Sequence, residues 1–363
     1  MPTRSVRVSP SAMTRFSLAP VPIVPAAELE RLTREIFVAW DTPPDDAAWV
    51  ATLLVRANLR GHDSHGIIRV PSYVKALEAG HVNPRPKITV EADTAILARL
   101  DGDSGFGQVV ARRGIALAIE KAKAQGLGVA TLRRTNHVGR LADYAELAAE
   151  QGLVGMLWAN VPMALNVAPW GGAARRLGTN PHAVAVPGPD GGVAMSFDIA
   201  TSVVAEGKLR VKYARGEPAA PGIMLNGRGE PSTDPREFYG DPVGSLLTAG
   251  EHKGFGLSLV VEVLGGILSG TGPARSEKGP GVNGTFMLCL DVARFVPTEE
   301  FHARMGSLLD WVRSAPLAAG AKEILIPGEP ESRTMRERLA NGVPVEDETW
   351  KQIAACAQAK GVA

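Results

Sequence analysis

The feature that most limits how this chain can fold is a change of hydrophobic period at Pro84. Before it, apolar residues recur at helical spacing. Leu29, Leu32, Ile36, Phe37 and Trp40 form one stripe over residues 26–42. Pro43-Pro44-Asp45-Asp46 stops that helix and caps the next, which carries Ala47, Val50, Leu53, Leu54 and Ala57 on one face and ends at Gly61. A third helix is expected over 69–79, closed by Gly80, with Arg69 and Tyr73 four apart on one face. After Pro84, strand-like and helical runs alternate. Strands are expected at 88–90, 96–100, 126–131, 153–158, 184–186, 193–197 and 285–291, helices at 108–125, 140–151 and 254–269, a glycine-rich turn at 101–107 and a loop at 273–284. The C-terminal part is helical again. This alternation between helical ends predicts an α+β, mixed α/β fold.

No Gly-x-Gly-x-x-Gly follows a strand. Gly126-Leu127-Gly128 and Gly254-Phe255-Gly256 both lack the third glycine. A Rossmann domain is therefore disfavoured. The 363 residues carry a formal net charge of +1, without the basic excess that nucleic-acid binding needs. No apolar run reaches the roughly 18 residues of a membrane span. Cys289 and Cys356 lie far apart and read as buried thiols, which fits a reducing, cytoplasmic setting. The first twenty-five residues hold Arg4, Arg7 and Arg15 and no acid; they read as a flexible tail, with Met13 an equally good start.

Chemistry concentrates where helical patterns break. Gly61-His62-Asp63-Ser64-His65-Gly66, with Arg69 and Tyr73, gathers imidazole, hydroxyl, carboxylate and guanidinium groups within thirteen residues. His65 is a candidate general acid/base. Arg69 suits a carboxylate, which a guanidinium binds bidentately. His137 lies between a strand-like run and a helix, where sites often form. Each has a bland alternative: a turn histidine, a solvated arginine. Asp198, at a strand end, reads equally as N-cap of a helix near Ala200 or as partner of a histidine or a cofactor ribose. The Gly178-Thr179-Asn180-Pro181 turn offers backbone N–H groups to an anion. Lys253 could meet a phosphate at the start of the apolar helix. His62 and His65 have His-x-x-His spacing, but no further cluster supports a metal site.

In this order, Gly61–Gly66 with Arg69 and Tyr73, Thr135–Gly139, Pro169–Gly172, Gly178–Pro181, Phe197–Ser202 and Lys253–Gly256 resemble the type-2 malate/L-lactate dehydrogenase family over roughly residues 26–345. That family includes ureidoglycolate, sulfolactate and malate dehydrogenases, 2,3-diketogulonate reductase and cyclic imine-carboxylate reductases. The resemblance implies a non-Rossmann fold: a helical domain of residues 26–83 and 295–363, and a central mixed-sheet domain of 84–294 that binds NAD or NADP. It implies a homodimer and a small 2-oxo or 2-hydroxy acid as substrate. Ser64, Arg69 and Tyr73 would line the substrate pocket, with His137 and His65 as acid/base and Asp198 as their partner. Asn160, Thr179, Asn180, Asp198, Ile199, Ala200, Lys253, Asn283 and Gly284 would face the cofactor. Three alternatives stay open on the sequence: a cyclic imine-carboxylate reductase, a non-catalytic small-acid or nucleotide binder, and a metal-dependent hydrolase on His62 and His65.

Overall fold

The computed structural model describes residues 22–275 and 282–362. Most of the tail expected at 1–25 lies outside the described residues. Ile23–Val24, assigned to that tail, instead pairs antiparallel with Val343–Pro344.

Seven strands form one sheet: β1 (Thr89–Asp93), β2 (Leu97–Gly105), β3 (Leu127–Thr135), β4 (Leu153–Asn160), β5 (His182–Pro187), β6 (Val193–Ile199) and β7 (Asn283–Asp291). Their order is β1-β2-β3-β7-β4-β5-β6. Only β2 and β3 run parallel; every other pair is antiparallel. The fold is therefore the mixed, non-Rossmann arrangement expected. Helices α4 (Gly107–Gln125) and α5 (Ala142–Ala149) cover the sheet. Their small and branched residues, including Ala111, Ile115, Ala118, Ala145 and Ala148, pack with Leu100, Leu132, Leu157 and Met287 of the strands.

A second core joins both ends of the chain. Helices α1 (Ala26–Ala39), α2 (Pro44–Leu59) and α3 (Val70–Glu78) contribute Leu29, Ile36, Phe37, Val50, Leu54 and Tyr73; Val343, Val345 and Ile353 come from the C-terminal segment. Helix α2 serves both cores, with Leu53 facing the sheet and Leu54 facing the helices. Steps of one residue rotate about 100°, so an apolar run here can bury two faces.

Several expectations are corrected. The turn expected at 101–107 is the far half of β2; Asp103 and Ser104 take positive φ and break the register there, and α4 begins directly at Gly107. No helix starts near Ala200; α6 is Glu206–Arg215. The polar stretch after it holds a three-stranded sheet of 224–225, 231–232 and 245–246. The apolar helix divides into α7 (His252–Val261) and a π-helical turn, Glu262–Ile267. Cys289 is buried, but Cys356 is only half-buried; both are free thiols. Among the described residues, no helix is long and apolar enough to cross a membrane.

Candidate active site

Two loops deliver the histidines. The first, 61–69, leaves the C-terminus of α2 as two short 3₁₀ turns. Asn58 in the last turn of α2 holds it: its Oδ1 accepts the Ile67 N–H (2.8 Å) and its Nδ2 donates to Asp63 Oδ1 (2.6 Å). Gly66 lies against this amide so closely that a Cβ would stand 2.1 Å from Asn58 Oδ1. Helix α8 (Glu329–Asn341), from the other end of the chain, closes over the loop. Arg338 bonds Asp63 and the Asn58 carbonyl, and Glu331 lies 3.5 Å from His62 Nε2. Asp63 and His62 are thus turned to this helix, while Ser64 and His65 face inward together, with Ser64 Oγ 3.1 Å from His65 Nδ1.

The second loop, 136–141, follows β3. Asn136 Nδ2 donates to the carbonyls of Ser104 (2.7 Å) and Gly105 (3.1 Å). The Val138 N–H donates to Asn283 Oδ1 (3.0 Å), and Tyr144 donates to the Val138 carbonyl (2.6 Å). His137 is pinned on both sides. The start of α4 touches its backbone: a Cβ on Gly107 would lie 2.3 Å from the His137 carbonyl oxygen.

The loops bring His65 and His137 into a stacked pair, ring centroids 5.4 Å apart and 26° between planes. Tyr73 on α3 bonds His137 Nδ1 at 2.7 Å. Arg69 is half-buried, and its Nε donates to the Ser64 carbonyl (2.7 Å). Among the described residues no carboxylate pairs with its guanidinium. A free imidazole titrates at about 6.5; the surroundings lower both histidines below this. Burial, with Arg69, His62 and Arg140 nearby, lowers His65 to about 3. Burial, Arg69 and His65 hold His137 well below the ordinary imidazole range. Desolvation and a neighbouring cation both disfavour imidazolium. Burial pushes the Tyr73 phenol up to about 12.

Asp198, at the end of β6, caps a helix, though not its own: Oδ2 accepts the Ala142 N–H that opens α5 (3.0 Å). Burial raises its pKa against the pull of Arg140 and this N–H. A buried ion network lies behind it. Arg140 pairs with Asp143 and Glu146 at 2.8 Å each, and Arg56 and Arg60 reach Glu146 at 2.8 and 2.9 Å. Ser196 Oγ donates to the same Glu146 (2.9 Å). The network ties α2, the His137 loop and β6 together.

The residues expected to face a cofactor gather in two groups. Thr201 donates its N–H to the Thr179 carbonyl (2.9 Å) and accepts from the Ala249 N–H (2.9 Å). This sets Thr179, Asp198, Ile199 and Ala200 beside the segment that carries Lys253, an exposed cation in the first turn of α7. Asn160, Asn180, Asn283 and Gly284 form a buried group around Glu262, the first residue of the π-turn. Glu262 accepts from Asn180 Nδ2 (2.7 Å), Asn160 Nδ2 (3.2 Å) and the Ala274 N–H (2.7 Å). Asn160 Oδ1 accepts the Gly284 N–H (3.1 Å), and Asn283 Nδ2 donates to the Asn160 carbonyl (3.0 Å). Asn160 and Asn283 are thus committed to the protein itself; Asn180 Oδ1 is buried without a partner. A nicotinamide dinucleotide offers apolar ring faces, amide and hydroxyl donors and an anionic diphosphate. The exposed Ile199 and Val203, the unpaired Asn180 oxygen and the exposed Lys253 fit that chemistry.

Sequence reading misses Asn58, Gln108, Arg140, Glu262 and Arg338. Asn58, Gln108 and Glu262 signal themselves only as polar residues inside otherwise apolar helical runs, Gln108 and Glu262 being 0% and 5% exposed; Arg140, in a loop, and Arg338, in a polar helix, carry no such signal.

The malate/L-lactate dehydrogenase family model matches residues 24–354. Hydroxycarboxylate dehydrogenase B of Escherichia coli O157:H7 is 37% identical over 343 residues, covering 93% of this chain and 94% of that one. The structure of malate dehydrogenase from Pyrococcus horikoshii OT3 superposes with a TM-score of 0.85 at 36% identity, covering 94% and 97%. That of Δ1-piperideine-2-carboxylate reductase from Pseudomonas syringae pv. tomato superposes at 0.81 with 28% identity, covering 93% and 100%. Fold, sequence and coverage agree along nearly the whole chain, which therefore belongs to the malate/L-lactate dehydrogenase family.

Proposed function

We propose that this chain is an NAD- or NADP-dependent dehydrogenase that interconverts a small 2-oxo acid and its 2-hydroxy acid. The observation that carries the reading is Arg69: a half-buried guanidinium without a carboxylate partner among the described residues, beside two uncharged, stacked imidazoles. A partly desolvated cation without a counter-ion attracts an anion. Arg69 would hold the substrate carboxylate, and Ser64 and Tyr73 would line the pocket around it. The cofactor, when bound, supplies or accepts the hydride at the carbonyl carbon. Thr179, Asn180, Asp198, Ile199, Ala200 and Lys253 would hold it, with Asn160, Asn283 and Gly284 shaping that surface from behind.

The remaining steps belong to the protein. In reduction the carbonyl oxygen gains negative charge, and imidazole N–H groups stabilise it. His65 or His137, having taken up a proton from solvent as the acid binds, passes it as imidazolium to that oxygen and recovers it in oxidation. A bound carboxylate neutralises Arg69 and so raises the proton affinity of both histidines, which Arg69 otherwise lowers. Substrate binding thereby prepares the proton transfer. Asp198 supports the site by anchoring α5 behind the His137 loop.

A second reading, reduction of a cyclic imine carboxylate, is favoured by the structural likeness to the piperideine carboxylate reductase. It needs the same carboxylate clamp. Absorbance loss of NADH and of NADPH, followed in parallel with 2-oxo acids and one cyclic imine carboxylate, separates the two. Turnover with a 2-oxo acid is the expected result, and turnover with the imine alone would replace the first reading by the second.

A further inference from the structure

We propose that Gln108 is a positioning residue: acting through Tyr73, it fixes the proton of neutral His137 on Nε2, so that this imidazole meets the substrate as a hydrogen-bond donor. Gln108 is the second residue of α4 and is fully buried. Its Nε2 donates to Tyr73 Oη at 2.8 Å, and Tyr73 Oη lies 2.7 Å from His137 Nδ1. An amide NH₂ can only donate, and a phenol has one proton. With Gln108 donating to the oxygen, that proton goes to His137 Nδ1. A neutral imidazole whose Nδ1 accepts must carry its hydrogen on Nε2.

Two further facts keep the relay in this sense. Burial of Tyr73 keeps its phenol protonated. Burial, Arg69 and His65 keep His137 neutral. The Gln108 oxygen is buried without a hydrogen-bond partner. The NH₂ is thus the side of Gln108 that meets Tyr73, and its oxygen takes no part in the relay. A group that only accepts at position 108 would take the Tyr73 proton, leave the phenol oxygen to accept, and require a hydrogen on His137 Nδ1.

What the Nε2–H does for the substrate rests on the dehydrogenase reading; the relay itself does not, and it is tested without cofactor or substrate. The experiment is ¹⁵N NMR of the full chain labelled at histidine, near neutral pH, with the His137 signals identified by their loss in His137→Asn. The expected wild-type pattern is a pyridine-type Nδ1 and a pyrrole-type Nε2. Gln108→Glu is expected to turn Nδ1 pyrrole-type. A pyrrole-type Nδ1 in the wild type overturns the proposal. Should Gln108→Glu not fold by circular dichroism, or keep the wild-type pattern because its buried carboxyl stays protonated and donates, Gln108→Leu decides. It removes the donor without a charge, and averaged Nδ1 and Nε2 shifts are expected; a retained, fixed Nε2–H overturns the proposal. Loss of dehydrogenase activity across all substrates would leave these spectra unchanged, so the two claims fail separately.

Discussion

His137→Ala and His65→Ala are each expected to lower turnover about 10²–10⁴-fold, the range of a positioned acid/base group. The geometry makes the loss specific. His137 is held by Tyr73, and its backbone is clamped by Asn283, Tyr144 and the close approach of Gly107. Alanine leaves that frame in place and removes only the ring. His65 sits on a separate loop, fastened by Asn58 and Arg338. Because the rings face each other at 5.4 Å, both touch the same small volume. The double variant should therefore lose less than the product of the single losses, as expected for groups acting as a unit. Steady-state rates at saturating substrate check this, with circular dichroism to show that the folds match. Unchanged turnover in both single variants would exclude the scheme.

Arg69→Leu is expected to cost about 2 kcal/mol or more, the scale for removing one partner of a buried charge pair. That is roughly 30-fold in kcat/KM. The loss should depend on the substrate's charge. A 2-oxo acid should suffer it, while the corresponding uncharged amide should not, since it never used the guanidinium. The substitution also removes the cation that most lowers the proton affinity of both histidines in the wild type. Their apparent pKa in a rate profile should therefore rise. Equal losses for acid and amide would mean that Arg69 shapes the pocket without binding the carboxylate.

Much of this architecture is legible in the residues. Hydrophobic period separates the helical ends from the sheet region, since burying one helix face or alternate strand residues leaves a pattern. Broken patterns at Gly61 and Thr135 locate both histidine loops. What stays hidden is whatever depends on contacts between distant segments. Arg338 fastens Asp63 across 275 residues, and Asn283 reaches Val138 across 145. Asp198 looks like the cap of the helix that follows it, yet caps one that precedes it by 56 residues. Glu262 is a lone acid in an apolar stretch until the π-turn carries it into contact with Asn160 and Asn180. The histidines' low proton affinity is likewise invisible, because burial and the field of Arg69 arise only when the loops meet. Asp103 and Ser104 adopt positive φ inside a strand, which no local propensity favours.

The expected reaction is direct passage of hydride between a nicotinamide cofactor and the carbonyl carbon of an acid held by Arg69. Its most direct test is isotopic. The protein is incubated with NADH or NADPH doubly deuterated at the nicotinamide C4 and with the 2-oxo acids that support cofactor oxidation, and the products are weighed by mass spectrometry. One deuterium at C2 of the hydroxy acid is the predicted result. A hydroxy acid carrying only solvent hydrogen at C2, or no hydroxy acid with either cofactor, would contradict it.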